Sequence, residues 1–111
     1  MPLLKEQPTL KHFQQYIHDL EAERGFDNQS AIDKCLLLGE EVGELFKAVR
    51  KTEGLNIEKS ADYGNVGEEL ADVFIYLCAI ANRFDIDLEA AFRNKEEVNK
   101  TRIWEVSRPV T

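Results

Sequence analysis

Residues 36–51, LLLGEEVGELFKAVRK, carry two carboxylates inside an apolar helical pattern. Glu41 and Glu44 are three residues apart, so on a helix they point to one side. At about 100° per residue, Glu41 falls within the arc formed by the apolar residues Leu37, Leu38, Val42, Leu45, Phe46 and Val49. An ionised carboxylate in a protein interior is costly unless it is paired or coordinates a cation. The pattern therefore predicts a positive charge facing this helix.

A second acidic pair lies in the stretch 68–77, EELADVFIYL. Glu69 and Asp72 have the same spacing, and the polar strip they begin continues through Tyr76 and Arg83 in an otherwise apolar helix. Two such helices packed antiparallel would bring four carboxylates together. Oxygen ligands without histidine suit Mg²⁺ or Mn²⁺ better than zinc or copper. We therefore predict a magnesium site of Glu41, Glu44, Glu69 and Asp72.

The remaining pattern predicts an all-α fold with a single domain over residues 1–111. The predicted helices cover residues 10–24, 31–52, 66–84 and 88–102, with N-caps Thr9, Ser30, Asn65 and Asp87. On the second helix, the side opposite the apolar arc is assigned to Lys34, Glu40, Lys47, Arg50 and Lys51. The predicted core face of the third helix includes Leu70 and Phe84. This helix is apolar almost all round, which favours burial on more than one side. We expect a homodimer or homotetramer, a bundle completed by association.

Composition restricts the function. The 111 residues are 43% hydrophobic and 32% charged, with a net charge of −7. This acidic balance argues against a duplex nucleic-acid partner, which needs a basic face. The sequence has no apolar run long enough to indicate a membrane segment. Cys35 and Cys78 are interpreted as small buried residues in a reducing compartment. A cytoplasmic location is expected.

Other motifs narrow the chemistry. Di-iron bundle proteins use Glu-x-x-His pairs, whereas the residues three after Glu41 and Glu69 are Glu44 and Asp72. No Walker-type phosphate loop is present. Lys95, Asn99 and Arg102 share one face of the fourth helix, either as a solvated basic strip near a helix C-terminus or as donors to phosphates. The residues alone indicate Mg²⁺-dependent phosphate or pyrophosphate chemistry.

The order of these motifs resembles the MazG-type nucleoside triphosphate pyrophosphohydrolases of the all-α NTP pyrophosphatase superfamily. The resemblance rests on EEVGEL at 40–45, EELADVFIYL at 68–77, DLEAAF at 87–92 and the K-x-x-x-N-x-x-R pattern at 95–102. It implies a four-helix unit that converts an NTP or dNTP to the monophosphate and pyrophosphate.

The resemblance also implies roles for individual residues. The four carboxylates would hold Mg²⁺, and Glu41 or Glu44 would orient or deprotonate the attacking water. Tyr76, Lys95, Asn99 and Arg102 would contact the nucleotide. The segment TLKHFQQYIHDLEAERGF at 9–26 resembles the N-terminal helix of dCTP pyrophosphatases. Phe26 of this chain stands where those enzymes have a base-pocket tryptophan. It either stacks on a base or packs in the core. Ile17 stands where those enzymes have a histidine.

Two further functions stay open from the sequence. One is a phosphoribosyl-ATP type of pyrophosphohydrolase. The other is a non-catalytic helical oligomerisation or regulatory module, whose acidic strips would form salt bridges with Lys47, Lys51 or Arg83. Stabilisation by Mg²⁺ with nucleotide would separate an enzyme from such a module.

Overall fold

The computed structural model describes residues 1–54 and 64–102. Within them the chain forms four helices and no strand, as the sequence predicts: α1 (Leu10–Arg24), α2 (Ala31–Thr52), α3 (Val66–Arg83) and α4 (Leu88–Lys100). The bounds of α1 and α2 match the predicted ones. The last helix ends two residues early, so Arg102 lies beyond it. Across the described ranges, no helix is both long and apolar enough to cross a membrane.

Each helix begins at the residue predicted to cap it. The side chains of Thr9 and Ser30 each take part in a reciprocal capping box, with His12 and Asp33. Asn65 accepts a hydrogen bond from the Glu68 backbone N–H at 2.7 Å, and Asp87 caps α4 in the same way. A cap of this kind contributes about 1 kcal/mol. Local sequence therefore sets where the helices start.

Helices α2 and α3 pack along each other, and α1 lies across α3. The α2–α3 pair is antiparallel, because Lys34 near the start of α2 lies over Tyr76, whereas the later residue Glu41 meets the earlier residue Glu69. The principal packing partner of α4 is α1, and most of α4 is exposed. This arrangement brings the two acidic pairs to the same region of the α2–α3 interface.

The core is centred on Ile17 of α1 with Cys78 and Ala79 of α3. Phe13 and Phe74 add an edge-to-face contact with ring centroids 5.2 Å apart. The apolar side chains that recur at helical spacing along α1 all belong to this core or pack against it: Phe13, Tyr16, Ile17 and Leu20. Small side chains are the most deeply buried, because helices that approach closely leave little room between their backbones.

Several residues predicted to face inward are exposed in the single chain. Phe46, Leu70 and Phe84 are more than half exposed, and Cys35 lies at the surface, so these burial predictions were wrong. The reason is the choice of contact face: α2 and α3 meet through small residues, such as Ala48, and leave their larger apolar side chains outside. A broad apolar surface results.

A buried glutamine fixes the turn between α3 and α4. The Gln14 amide donates to Asn82 Oδ1 at 3.1 Å and to the Ile86 carbonyl at 2.8 Å. Its oxygen accepts from the Leu88 N–H at 2.9 Å. Asn82 in turn donates to the Gln14 carbonyl. These bonds hold the start of α4 against α1.

Candidate metal centre and adjoining cavity

Three of the four predicted carboxylates meet between α2 and α3. Glu41, Glu69 and Asp72 each offer an oxygen, and these oxygens lie within 4.8 Å of one another. Glu69 is only 7% exposed, and its Oε2 is buried without a hydrogen-bond partner among the described residues. A buried, unsatisfied carboxylate oxygen is costly unless a cation or donor reaches it. The donor set therefore fits a hard divalent cation such as Mg²⁺.

Electrostatics in this cluster favour a cation as well. The pKa of Glu41 is raised from 4.5 to about 6, first by burial, then by its hydrogen bond to Glu69 and by the negative charges of Asp72, Glu69 and Glu44. A proton on Glu41 relieves part of this repulsion. A divalent cation bound to the cluster would also relieve it and would favour the ionised form of Glu41.

Gly64 leaves room for the Glu69 carboxylate. A Cβ atom at position 64 would collide with Glu69 Oε1 and lie 3.2 Å from an oxygen of Glu68. The residue is followed by Asn65, the cap of α3. The approach to α3 is thus shaped so that Glu69 can turn into the cluster.

A cavity of about 360 Å³ adjoins the cluster, between α1, α2 and α3. Glu41 and Asp72 contribute to its wall, so the cavity is continuous with the carboxylates. Most of its other lining residues are apolar or aromatic: Ile17, Leu20, Phe26, Leu37, Ile75, Tyr76 and Ala79. Burial and the neighbouring carboxylates raise the pKa of Tyr76, which stays a neutral phenol. Such a cavity suits a flat, partly apolar ligand attached to an anionic group.

Comparisons with known proteins identify the family of this chain. A model of the MazG nucleotide pyrophosphohydrolase domain matches residues 29–102, which contain the whole carboxylate cluster. The chain belongs to this MazG family. It is 34% identical over 101 residues to dCTP pyrophosphatase 1 of Mus musculus and to that of Homo sapiens. The match covers 86% of this chain and 59% of each relative, so the chain spans about three fifths of their length.

Two solved structures share the MazG fold. The iMazG protein from Vibrio DAT 722 is 33% identical with a TM-score of 0.64, over 85% of this chain and the whole of that one. The YPJD protein from Bacillus subtilis is 27% identical with a TM-score of 0.75, over 89% of this chain and the whole of that one. Together with the helices of the chain itself, they confirm the expected all-α MazG fold.

The other predicted site residues of the MazG domain are more scattered. Glu44 lies outside the three-carboxylate cluster, and its Oε1 is 3.5 Å from Lys47 Nζ. Phe26 and Tyr76 both line the cavity. Lys95 lines a separate apolar groove beside α4, and within the described residues neither it, Asn99 nor Arg102 borders the cavity. The roles proposed for these side chains stay predictions.

A buried charge cluster in the cavity wall was missed from the sequence. Glu21 of α1 accepts two hydrogen bonds from Arg83 of α3, at 3.0 and 2.7 Å. The same carboxylate lies 3.1 Å from Lys34 Nζ. Although burial opposes ionisation, hydrogen bonds from Arg83 and Lys34 hold the pKa of Glu21 below its usual value. Removal of one partner from such a buried set typically costs about 3–5 kcal/mol.

Lys34 was expected on the solvated side of α2, and this prediction was wrong, since the residue is only 3% exposed. The spacing could have shown it: Lys34 and Glu41 are seven residues apart, which places them on the same side of a helix. Gln14, Ile17 and Glu21 share a face of α1 by the same spacing. Helical spacing that places a polar residue on the same face as buried residues could therefore have predicted its burial.

Proposed function

We propose that this MazG domain hydrolyses a nucleoside or deoxynucleoside triphosphate to the monophosphate and pyrophosphate in a Mg²⁺-dependent reaction. The observation that carries the proposal is the carboxylate cluster, which meets no cationic side chain among the described residues and opens into an aromatic-lined cavity. The cluster suits a cation that binds phosphates, and the cavity suits a base and sugar. The MazG family and the mammalian relatives, which are named dCTP pyrophosphatase 1, support the same reaction class.

In the proposed reaction, Glu41, Glu69 and Asp72 would hold Mg²⁺, with Glu44 about one helical turn from Glu41. The ion would stabilise charge on the phosphate oxygens and lower the pKa of a water molecule. Glu41 or Glu44 orients the attacking water and accepts its proton. Water adds to the α-phosphorus, and the bond from this phosphorus to the oxygen of the leaving pyrophosphate breaks. The monophosphate and pyrophosphate are then released. A house-cleaning role in the cytoplasmic nucleotide pool follows from this activity.

The residues around the cluster have separate tasks in this proposal. Phe26 and Tyr76 stack on the base or sugar from the cavity wall. Lys95, Asn99 and Arg102 supply donors to the phosphates. Arg83 is engaged by Glu21 and, among the described residues, forms no ion pair with the acidic cluster. This observation favours an enzyme over a module in which Arg83 pairs with the acidic strips.

The direct test is pyrophosphate release from the eight ordinary NTPs and dNTPs, with Mg²⁺ and with EDTA, with the nucleotide product identified by chromatography. We expect monophosphate and pyrophosphate only when the metal is present. A phosphoribosyl-ATP assay run alongside covers the related substrate class. Orthophosphate as the product would contradict the proposed bond cleavage. The absence of metal-dependent product from every nucleotide would contradict the proposed activity.

We also propose that the domain works as a homodimer or homotetramer. An apolar groove of about 530 Å³ runs between α3 and α4, and it is lined by Phe74, Leu77, Ile80, Leu88, Ala91 and Phe92. Phe92 is 69% exposed, which is unusual for a large apolar residue that is not at an interface. A second copy of the chain would cover this surface and could carry Lys95 towards a neighbouring site.

Phe92→Asp tests the assembly, because a charge in the centre of an apolar interface is strongly unfavourable. We expect the variant to sediment as a monomer under conditions in which the wild type is a dimer or tetramer. Arg93→Ala, a change at an exposed neighbour paired with Glu89, is the matched control and should leave the assembly intact. A monomeric wild type would refute the proposal.

A further inference from the structure

The buried ammonium group of Lys34 forms part of the cavity wall next to the candidate metal centre. Its Nζ lies 3.1 Å from Glu21 Oε2 and above two aromatic rings, 5.3 Å from the centroid of Phe26 and 5.4 Å from that of Tyr76. An ammonium has three N–H donors and no acceptor. Within residues 1–54 and 64–102, Glu21 is its only hydrogen-bond partner. Donor capacity therefore remains at this wall.

Glu21 leaves little acceptor capacity of its own. Both of its oxygens accept hydrogen bonds from the Arg83 guanidinium, and Oε2 also pairs with the Lys34 ammonium. A ligand in the cavity thus meets an ammonium whose orientation is fixed by a buried carboxylate, itself fixed by a bidentate arginine. This part of the wall is suited to a hydrogen-bond acceptor and is unfavourable to an amino group.

The position of Lys34 relative to the metal ligands matches the shape of a nucleotide. Lys34 and Glu41 are seven residues apart on α2, a rise of about 10 Å at 1.5 Å per residue. Lys34, Glu41 and Asp72 line the same cavity, so a nucleotide with its phosphates at the carboxylates has room to extend its sugar and base along α2 to Lys34. The side chain that the base edge reaches is then the ammonium, with Phe26 and Tyr76 beside the base.

We propose that Lys34 is a specificity-determining residue that donates a hydrogen bond to a carbonyl oxygen of the substrate base. The proposal rests on the nucleotide pyrophosphohydrolase activity proposed above, and it assigns the substrate class as triphosphates of carbonyl-bearing bases. Among the four ordinary DNA bases only adenine has no carbonyl oxygen, so dATP is the substrate handled worst. Glu21 and Arg83 act as positioning residues, since they orient Lys34 and do not touch the base.

The test compares dITP with dATP, because the purine of dITP has a carbonyl where that of dATP has an amino group, and the one accompanying difference is the hydrogen that N1 carries in dITP. A hydrogen bond from a charged donor is expected to give about tenfold to a hundredfold higher kcat/KM for dITP. Lys34→Met keeps the apolar stem and removes the donors. We expect it to lower kcat/KM for dITP by a similar factor and to leave dATP nearly unchanged.

Further variants separate specificity from folding. Lys34→Arg retains N–H donors and should keep a preference for dITP. Lys11→Met, an equivalent change at an exposed lysine of α1, should not alter the dITP to dATP ratio. Thermal unfolding of each variant shows whether the fold is retained, and only folded variants enter the comparison.

The outcomes distinguish this inference from the proposed activity itself. Equal use of dITP and dATP by the wild type, or an equal loss on both in Lys34→Met, would overturn the role of Lys34 while the activity stands. If Lys34→Met fails to fold, the ratio of kcat/KM for dITP to that for dATP in the wild type and in Lys34→Arg still decides the role of Lys34. If the wild type releases no pyrophosphate from any nucleotide, the activity fails first, and this inference with it.

Discussion

Replacement of Glu41 by glutamine should stabilise the metal-free protein. In the folded state, burial, the hydrogen bond to Glu69 and neighbouring negative charges raise the pKa of Glu41 from 4.5 to about 6. The folded state therefore favours the neutral form, and this favourable contribution is present below pH 4.5 and lost as the pH rises through about 6. Glutamine stays neutral at every pH and can still donate a hydrogen bond to Glu69.

The magnitude follows from the pKa difference. A change from 4.5 to about 6 corresponds to about 2 kcal/mol, and solvent screening at this partly exposed side chain reduces it to about 1 kcal/mol. We expect Glu41→Gln in EDTA at pH 8 to be about 1 kcal/mol more stable than the wild type. The difference should shrink at pH 5, where more of the wild-type Glu41 is protonated.

Urea unfolding followed by far-UV circular dichroism measures this difference at both pH values. With Mg²⁺ present, the wild type should become more stable to unfolding than Glu41→Gln. The ion stabilises the intact carboxylate cluster by mass action and binds the variant more weakly. Glu40→Gln, at an exposed neighbour of Glu41, is the matched control and should change stability by less than about 0.5 kcal/mol. A wild type as stable as Glu41→Gln at pH 8 in EDTA would refute this account of the cluster.

Three further predictions concern the surroundings of the cluster. Gly64→Ala should raise the Mg²⁺ concentration needed for half-maximal activity, because its Cβ displaces the Glu69 carboxylate; an unchanged metal titration would contradict this. Gln14→Ala should lower the free energy of unfolding by about 2–3 kcal/mol, since it leaves buried polar groups unpaired. In urea unfolding, Gln15→Ala, at an exposed neighbour, should cost little. Phe26→Ala should raise KM about tenfold through lost stacking, with a smaller effect on kcat in steady-state assays; an unchanged KM would place the base elsewhere.

Sequence patterns predicted much of this fold because its helix ends are encoded locally. Each of the four N-caps acts on backbone N–H groups within three residues, so Thr9, Ser30, Asn65 and Asp87 could be identified without tertiary information. Helical spacing likewise identified Glu41, Glu69 and Asp72 as carboxylates on inward faces, and the structure places these three together.

Properties that depend on which helix faces meet were harder to predict. Leu70 and Phe84 were expected inside, but α2 and α3 pack through smaller residues and leave them exposed. Lys34 was expected outside, because a lysine is rarely buried unless paired, and its partner Glu21 comes from another helix. Glu44 is turned by about 60° from Glu41 around the helix axis, and side-chain periodicity does not resolve whether this offset keeps it outside the cluster.

The central claim is that Glu41, Glu69 and Asp72 form a divalent cation site. Electron paramagnetic resonance of free Mn²⁺, titrated against the protein without nucleotide, tests it most directly. We predict saturable Mn²⁺ binding by the wild type, competition by Mg²⁺, and at least tenfold weaker binding by Glu69→Gln, with Glu68→Gln unchanged as the control at the exposed neighbour. Equal Mn²⁺ affinity in the wild type and in a folded Glu69→Gln variant would contradict the claim.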